Sequence, residues 1–92
     1  MERKVIWTAQ FKKDYRLAAK RRRDIELLDE IIRKLAMGEP LPEANRDHPL
    51  SGNWDGFREC HIQSDWLLVY RLEDDVLVLT LARTGTHSDL SF

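Results

Sequence analysis

Three histidines, His48, His61 and His87, all lie in the second half of this 92-residue chain. Arg83 stands just before the last of them, in the stretch "LARTGTHSDLSF", and Glu59 and Asp65 flank His61. Histidine titrates near neutrality, so one ring can accept a proton while another donates one. An arginine suits a phosphate whose charge grows in the transition state. Histidines, one arginine and a positioning carboxylate are therefore sufficient for acid–base cleavage of a phosphodiester. On RNA no protein nucleophile is needed, because the 2′-hydroxyl supplies it; no metal is needed either.

Other uses compete for the same residues. Histidines and carboxylates can hold zinc or iron, but such sites usually show tight pairs such as two histidines at i,i+4, whereas the histidines here are 13 and 26 residues apart, and an added cation beside Arg83 is poor electrostatics. Cys60 is the only thiol, and strand alternation turns it away from His61; the serines Ser51, Ser64, Ser88 and Ser91 show no nucleophile elbow. Quieter roles stay open as well. His48 can be a plain loop residue, His61 and Asp65 a strand-end hydrogen bond, and Arg83 a structural partner of Glu59 or Asp65.

These residues need elements to position them. "KVIW" is a β-prone run, after which Thr8 caps a helix over roughly 9–20, with Phe11, Tyr15, Ala18 and Ala19 on one face and Lys13, Arg16 and Lys20 opposite. Asp24 caps a second helix whose stripe is Ile25, Leu28, Ile32 and Leu35, and Gly38 ends it. Residues 38–56 hold all three prolines and three of the four glycines, so they form a long loop, of the kind that often carries function. Three strands follow at 57–62, 65–72 and 76–84, joined by short turns and hence antiparallel. Trp66, Leu68, Tyr70 and Leu72 share one face of the middle strand while Leu67 and Val69 make the other apolar too. The expected order is β-α-α-β-β-β: an α+β domain with a helical hairpin packed on a curved, mainly antiparallel four-stranded sheet. With no internal repeat or linker, residues 1–92 read as one domain. If the long loop lies across the sheet, the histidines, Asp65, Arg83 and Glu59 converge at one edge.

Composition narrows the class. A charged fraction of 34% beside 42% hydrophobic residues indicates a soluble folded domain. The lone cysteine fits a reducing compartment, and no apolar run reaches membrane-spanning length or forms a signal peptide, so a cytoplasmic protein without membrane contact is expected. The net charge of −1 hides polarity: residues 1–34 carry 11 Lys/Arg against 6 Asp/Glu, and residues 35–92 carry 4 against 10. One basic face could meet a polyanion, or two helices could simply have solvated charged sides.

The stretches "DHPLSGNW", "FRECHIQSDWLLVY" and "RTGTH", set in that element order, closely resemble the YafQ branch of the RelE-type bacterial toxins over nearly the whole chain. The resemblance implies a microbial-ribonuclease-like fold and a metal-free endonuclease, without cofactor, that cuts mRNA in the decoding site of the 70S ribosome. It also implies a cognate antitoxin that neutralises the toxin, with operator DNA bound only through that antitoxin. His48, His61, Asp65 and His87 match the branch's catalytic set, and Arg83 its phosphate-holding arginine. His87 is expected to be the principal proton-transfer group, with His48 and His61 sharing the second transfer and Asp65 orienting His61. Lys12, Lys13, Arg16, Lys20, Arg21, Arg22 and Arg23 form a face for ribosomal RNA or for an acidic antitoxin segment. Two positions depart from the pattern: the branch favours aspartate where this chain has Glu59, and its terminal aromatic lies closer to the last histidine than Phe92 does, so Glu59 is expected only in support and Phe92 as a base-stacking ring. The competing expectation is a noncatalytic antitoxin-binding module or operon co-repressor of the same fold.

Overall fold

A computed structural model describes residues 2–90; the expected stacking residue Phe92 lies outside the described residues. The chain runs β1 (Lys4–Trp7), α1 (Ala9–Lys20), α2 (Ile25–Met37), β2 (His48–Pro49), β3 (Arg58–Gln63), β4 (Trp66–Glu73), β5 (Val78–Gly85) and α3 (His87–Leu90), with 3-10 turns at Glu43–Asn45 and Gly52–Trp54. Thr8 caps α1, its Oγ1 accepting the Phe11 N–H at 3.0 Å. Asp24 stands at the α2 N-cap position but makes no side-chain cap bond, and Gly38 closes that helix at φ 76°, in the left-handed region where the absence of a Cβ removes the strain.

The sheet has five strands in the order β1-β5-β4-β3-β2. β1 runs parallel to β5, and the other neighbours are antiparallel. The α+β class is as expected, but the strand count is not: a fifth strand, only two residues long, pairs His48 with Glu59 and Pro49 with Arg58. A two-residue edge strand leaves no periodicity to read, and Pro49 is tolerated only because an edge strand need not donate on both sides. The long loop is accordingly structured, by this strand and the two 3-10 turns.

Both faces of the sheet are apolar. The helical hairpin covers one, burying Phe11, Leu28, Ile32 and Leu35 against Cys60, Trp66, Leu68, Tyr70, Leu79 and Leu81. On the opposite face Leu67, Val69, Ala82 and Leu90 pack with Leu50, Trp54 and Phe57. That second face is therefore floored by β4, with the loop carrying Leu50 and Trp54 at one side and α3 at the other. No helix among the described residues is long and apolar enough to cross a membrane.

Candidate active site

Strand register builds the frame of the site. His48 pairs with Glu59, Glu59 with Val69, and Val69 with Arg83, so one row crosses four strands. The next row sets His61 opposite Leu67 and Leu67 opposite Gly85, two residues before His87. Cross-strand partners share a face. Since Leu67 and Val69 belong to the face away from the helices, Glu59 and His61 stand there too, and Cys60 alternates into the core.

Three local devices bring the histidines in. Asp47, next to His48, accepts hydrogen bonds from Tyr70 Oη and from Arg58 Nε (3.3 Å), tying the loop to the sheet. Asn45 donates to the His61 carbonyl at 2.7 Å from the other side of the loop. At the far end Thr86 and Asp89 cap one another: Thr86 N–H donates to Asp89 Oδ2 and Asp89 N–H to Thr86 Oγ1, each at 3.0 Å. A Cβ on Gly85 would lie 2.9 Å from the Asp89 Cβ, so glycine lets α3 fold back against the strand end.

The tautomers follow from the partners. His48 Nδ1 faces the Arg46 carbonyl at 2.7 Å and must carry a proton, because a carbonyl only accepts; Nε2 then lies 3.6 Å from Glu59 Oε1. Glu59 is buried. His87 Nδ1 lies 2.7 Å from Asp65 Oδ1, which also takes the His87 backbone N–H at 3.1 Å, so among the described residues Nε2 is the His87 ring nitrogen without a hydrogen-bond partner. These bonds from the His87 ring and backbone hold the Asp65 carboxyl below its usual range. The His61 and His87 rings are 5.8 Å apart, and ligand atoms of Glu59, His61 and His87 all lie within 4.8 Å of one another.

The structure thus gathers His48, Glu59, His61, Asp65 and His87. Two expectations change. Asp65 orients His87 rather than His61, because the register shift between His61 and Gln63 and the following turn present it to the start of α3. Arg83 pairs with neither Glu59 nor Asp65 but with Asp14 of α1, its Nε donating to Oδ2 at 2.8 Å and its Nη2 to Oδ1 at 3.3 Å. Lys12, Lys13, Arg16, Lys20, Arg21 and Arg22 are exposed along α1 and the turn after it, with Arg21 also bonded to Asp89 at 2.9 Å. Arg23 is half-buried, its guanidinium 5.4 Å from the Trp66 ring centre. Sequence reasoning missed Asp14, Asn45 and Asp47. Only Asp14 left a signal, as an acid between Phe11 and Ala18 on the apolar stripe of α1.

One carboxylate and two imidazoles within 4.8 Å can also hold a divalent cation. Distance along the chain concealed this triplet, since its members come from the middle of β3 and the start of α3.

A short sheet with one face under a helical hairpin and the other holding clustered histidines is the architecture of a class of small bacterial toxins. A family model described as bacterial toxin of type II toxin–antitoxin system, YafQ, matches residues 3–92, and the chain belongs to that family. The mRNA interferase toxin YafQ of Escherichia coli (strain K12) is 40% identical over 91 residues, spanning 98% of this chain and 97% of that protein. The toxin in the crystal structure of the E. coli DinJ–YafQ toxin–antitoxin complex has a TM-score of 0.89 at 40% identity, covering 98% of both chains. A metal-bound toxin from Helicobacter pylori has a TM-score of 0.89 at 38% identity, covering 98% of this chain and 99% of that one.

Proposed function

We propose that this chain is the toxin of a type II toxin–antitoxin pair and an endoribonuclease that cuts mRNA in the decoding site of the 70S ribosome. The observation that carries the reading is His87 Nε2, freed by the Asp65 bond at Nδ1 and grouped with His61 and Glu59 on the face the helices leave open. Identity of 40% to an mRNA interferase over nearly the full chain supports the same activity, and similarity to the toxin of the DinJ–YafQ complex supports a cognate antitoxin as partner. Operator DNA is met only through that antitoxin.

The reaction needs two proton transfers. A base takes the proton of the 2′-hydroxyl, whose oxygen attacks the adjacent phosphorus. The bond from phosphorus to the 5′-oxygen breaks, and an acid protonates that oxygen, leaving a 2′,3′-cyclic phosphate and a 5′-hydroxyl. His87 carries one transfer. His48 and His61 share the other and the stabilisation of phosphate charge, with Glu59 beside both. Arg83 meets the phosphate as its charge increases. All of this is acid–base chemistry and requires no cofactor.

A translation reaction primed with a defined mRNA tests the reading, using the intact protein, its His87→Ala form, and a chelator. Cleavage by the intact protein with chelator present, and none by His87→Ala although it still binds antitoxin, is the expected result. No cleavage by either form points to a noncatalytic antitoxin-binding module. Loss with chelator alone points to a metal-dependent hydrolase. Added Zn²⁺ should inhibit, because an ion held by Glu59, His61 and His87 occupies the lone pairs that proton transfer uses.

A further inference from the structure

The buried face of α1 contains a carboxylate, Asp14, between Phe11 and Ala18. A carboxylate out of water must be fully hydrogen-bonded to be tolerated. Asp14 is: Oδ2 accepts from Arg83 Nε (2.8 Å) and Thr84 N–H (3.1 Å), and Oδ1 from Gln10 Nε2 (3.0 Å) and Arg83 Nη2 (3.3 Å). The place is informative. β1 ends at Trp7, opposite Leu81, so β5 has no strand neighbour on that side from Ala82 onward. Thr8 N–H bonds the Leu81 carbonyl, Thr8 Oγ1 the Ala82 carbonyl, and Asp14 the Thr84 N–H, so the start of α1 replaces the missing strand. The register shift opposite Val69 and Tyr70 falls at the same point and sets the aim of Arg83.

We propose that Asp14 is a positioning residue for Arg83. It holds the Nε/Nη2 edge of the guanidinium and leaves Nη1, which has no hydrogen-bond partner among the described residues, to meet the scissile phosphate. The role rests on the ribonuclease reading above. Electrostatics separates it from simple stabilisation. A neighbouring carboxylate weakens the pull of Arg83 on any anion, so Asp14 cannot serve affinity. It serves direction, because the planar fork held along one edge presents its remaining donors at a fixed angle.

The test is single-turnover cleavage of ribosome-bound mRNA by the full chain across a range of toxin concentrations, with thermal melting alongside. Asp14→Asn keeps the volume and an acceptor for Thr84 N–H. It should lower the maximal rate by about 100-fold, the scale of a misplaced catalytic group, without raising the concentration for half-maximal rate. Combined with Arg83→Ala it should be no slower than Arg83→Ala alone. Full rate in Asp14→Asn, or multiplicative losses in the double variant, overturns the positioning role while the wild type still cleaves. A wild type that cleaves nothing overturns the ribonuclease reading, and the role with it. If Asp14→Asn melts below the assay temperature, Arg83→Lys decides. Its single ammonium preserves the ion pair and the melting point but cannot face two ways, so its rate should fall to that of Arg83→Ala; a wild-type rate would refute the fork.

Discussion

At the scale of the residue, the Asp65–His87 pair makes a signed prediction. The hydrogen bonds from His87 lower the Asp65 pKa, so their benefit is complete above the ordinary carboxylate range and disappears only as pH falls through the lowered value. Between pH 5 and 8 the orientation of His87 should therefore not vary through Asp65, which NMR of the ring nitrogens can follow. Asp65→Asn removes the charge and can present an N–H where His87 needs an acceptor. It should cut the cleavage rate by at least ~100-fold, by the logic of a misdirected histidine tautomer, with the melting temperature nearly unchanged because the pair is exposed. Cys60 behaves oppositely. Burial pushes its thiol up to about 12, so iodoacetamide should label it only as fast as the protein unfolds, and rapid labelling of the native form would contradict the buried position. Alternation along "FRECHI" foretold that burial. It could not foretell which histidine Asp65 serves, because a turn between strands can present a side chain to either neighbour.

At the scale of the element, what was legible was what repeats. Helical spacing and caps located α1 and α2 almost to the residue, whereas β2 has only two residues and no repeat to find. Tyr15 Oη on α1 donates to Asp29 on α2 at 2.8 Å, a bond between the two helices that sequence spacing cannot reveal. Thr8 does two jobs, capping α1 and donating to Ala82 at the open edge of β5. Thr8→Ala should cost about 1–2 kcal/mol, a fall of roughly 4–15 °C in melting temperature for a chain this size. Gly85→Ala tests the seat of α3. Its methyl would meet the Asp89 Cβ, so α3 and His87 must shift, and cleavage should fall while antitoxin binding persists.

At the scale of the whole molecule, the charge polarity becomes spatial. Exposed Lys12, Lys13 and Arg16 lie on α1, whereas Glu59 and Asp65 lie with the histidines on the other face of the sheet. Ribosome association should weaken steeply with salt if α1 meets RNA phosphates, and Lys12→Glu with Lys13→Glu should flatten that dependence while sparing the rate at saturation. The pairing of β1 with β5 has a consequence of another kind, for the order in which the protein comes into being. Lys4–Trp7 is synthesised well before Val78–Leu81, the strand it pairs with, and His87 follows later still. Contacts so distant along the chain form late in folding. During translation, then, a nascent chain holds β1 unpaired and its histidines unassembled until β5 and α3 have been made. The candidate site is thereby the last part of the fold to be completed, and on the proposed reading the ribosome making the chain meets no assembled histidine cluster until β5 and α3 have emerged.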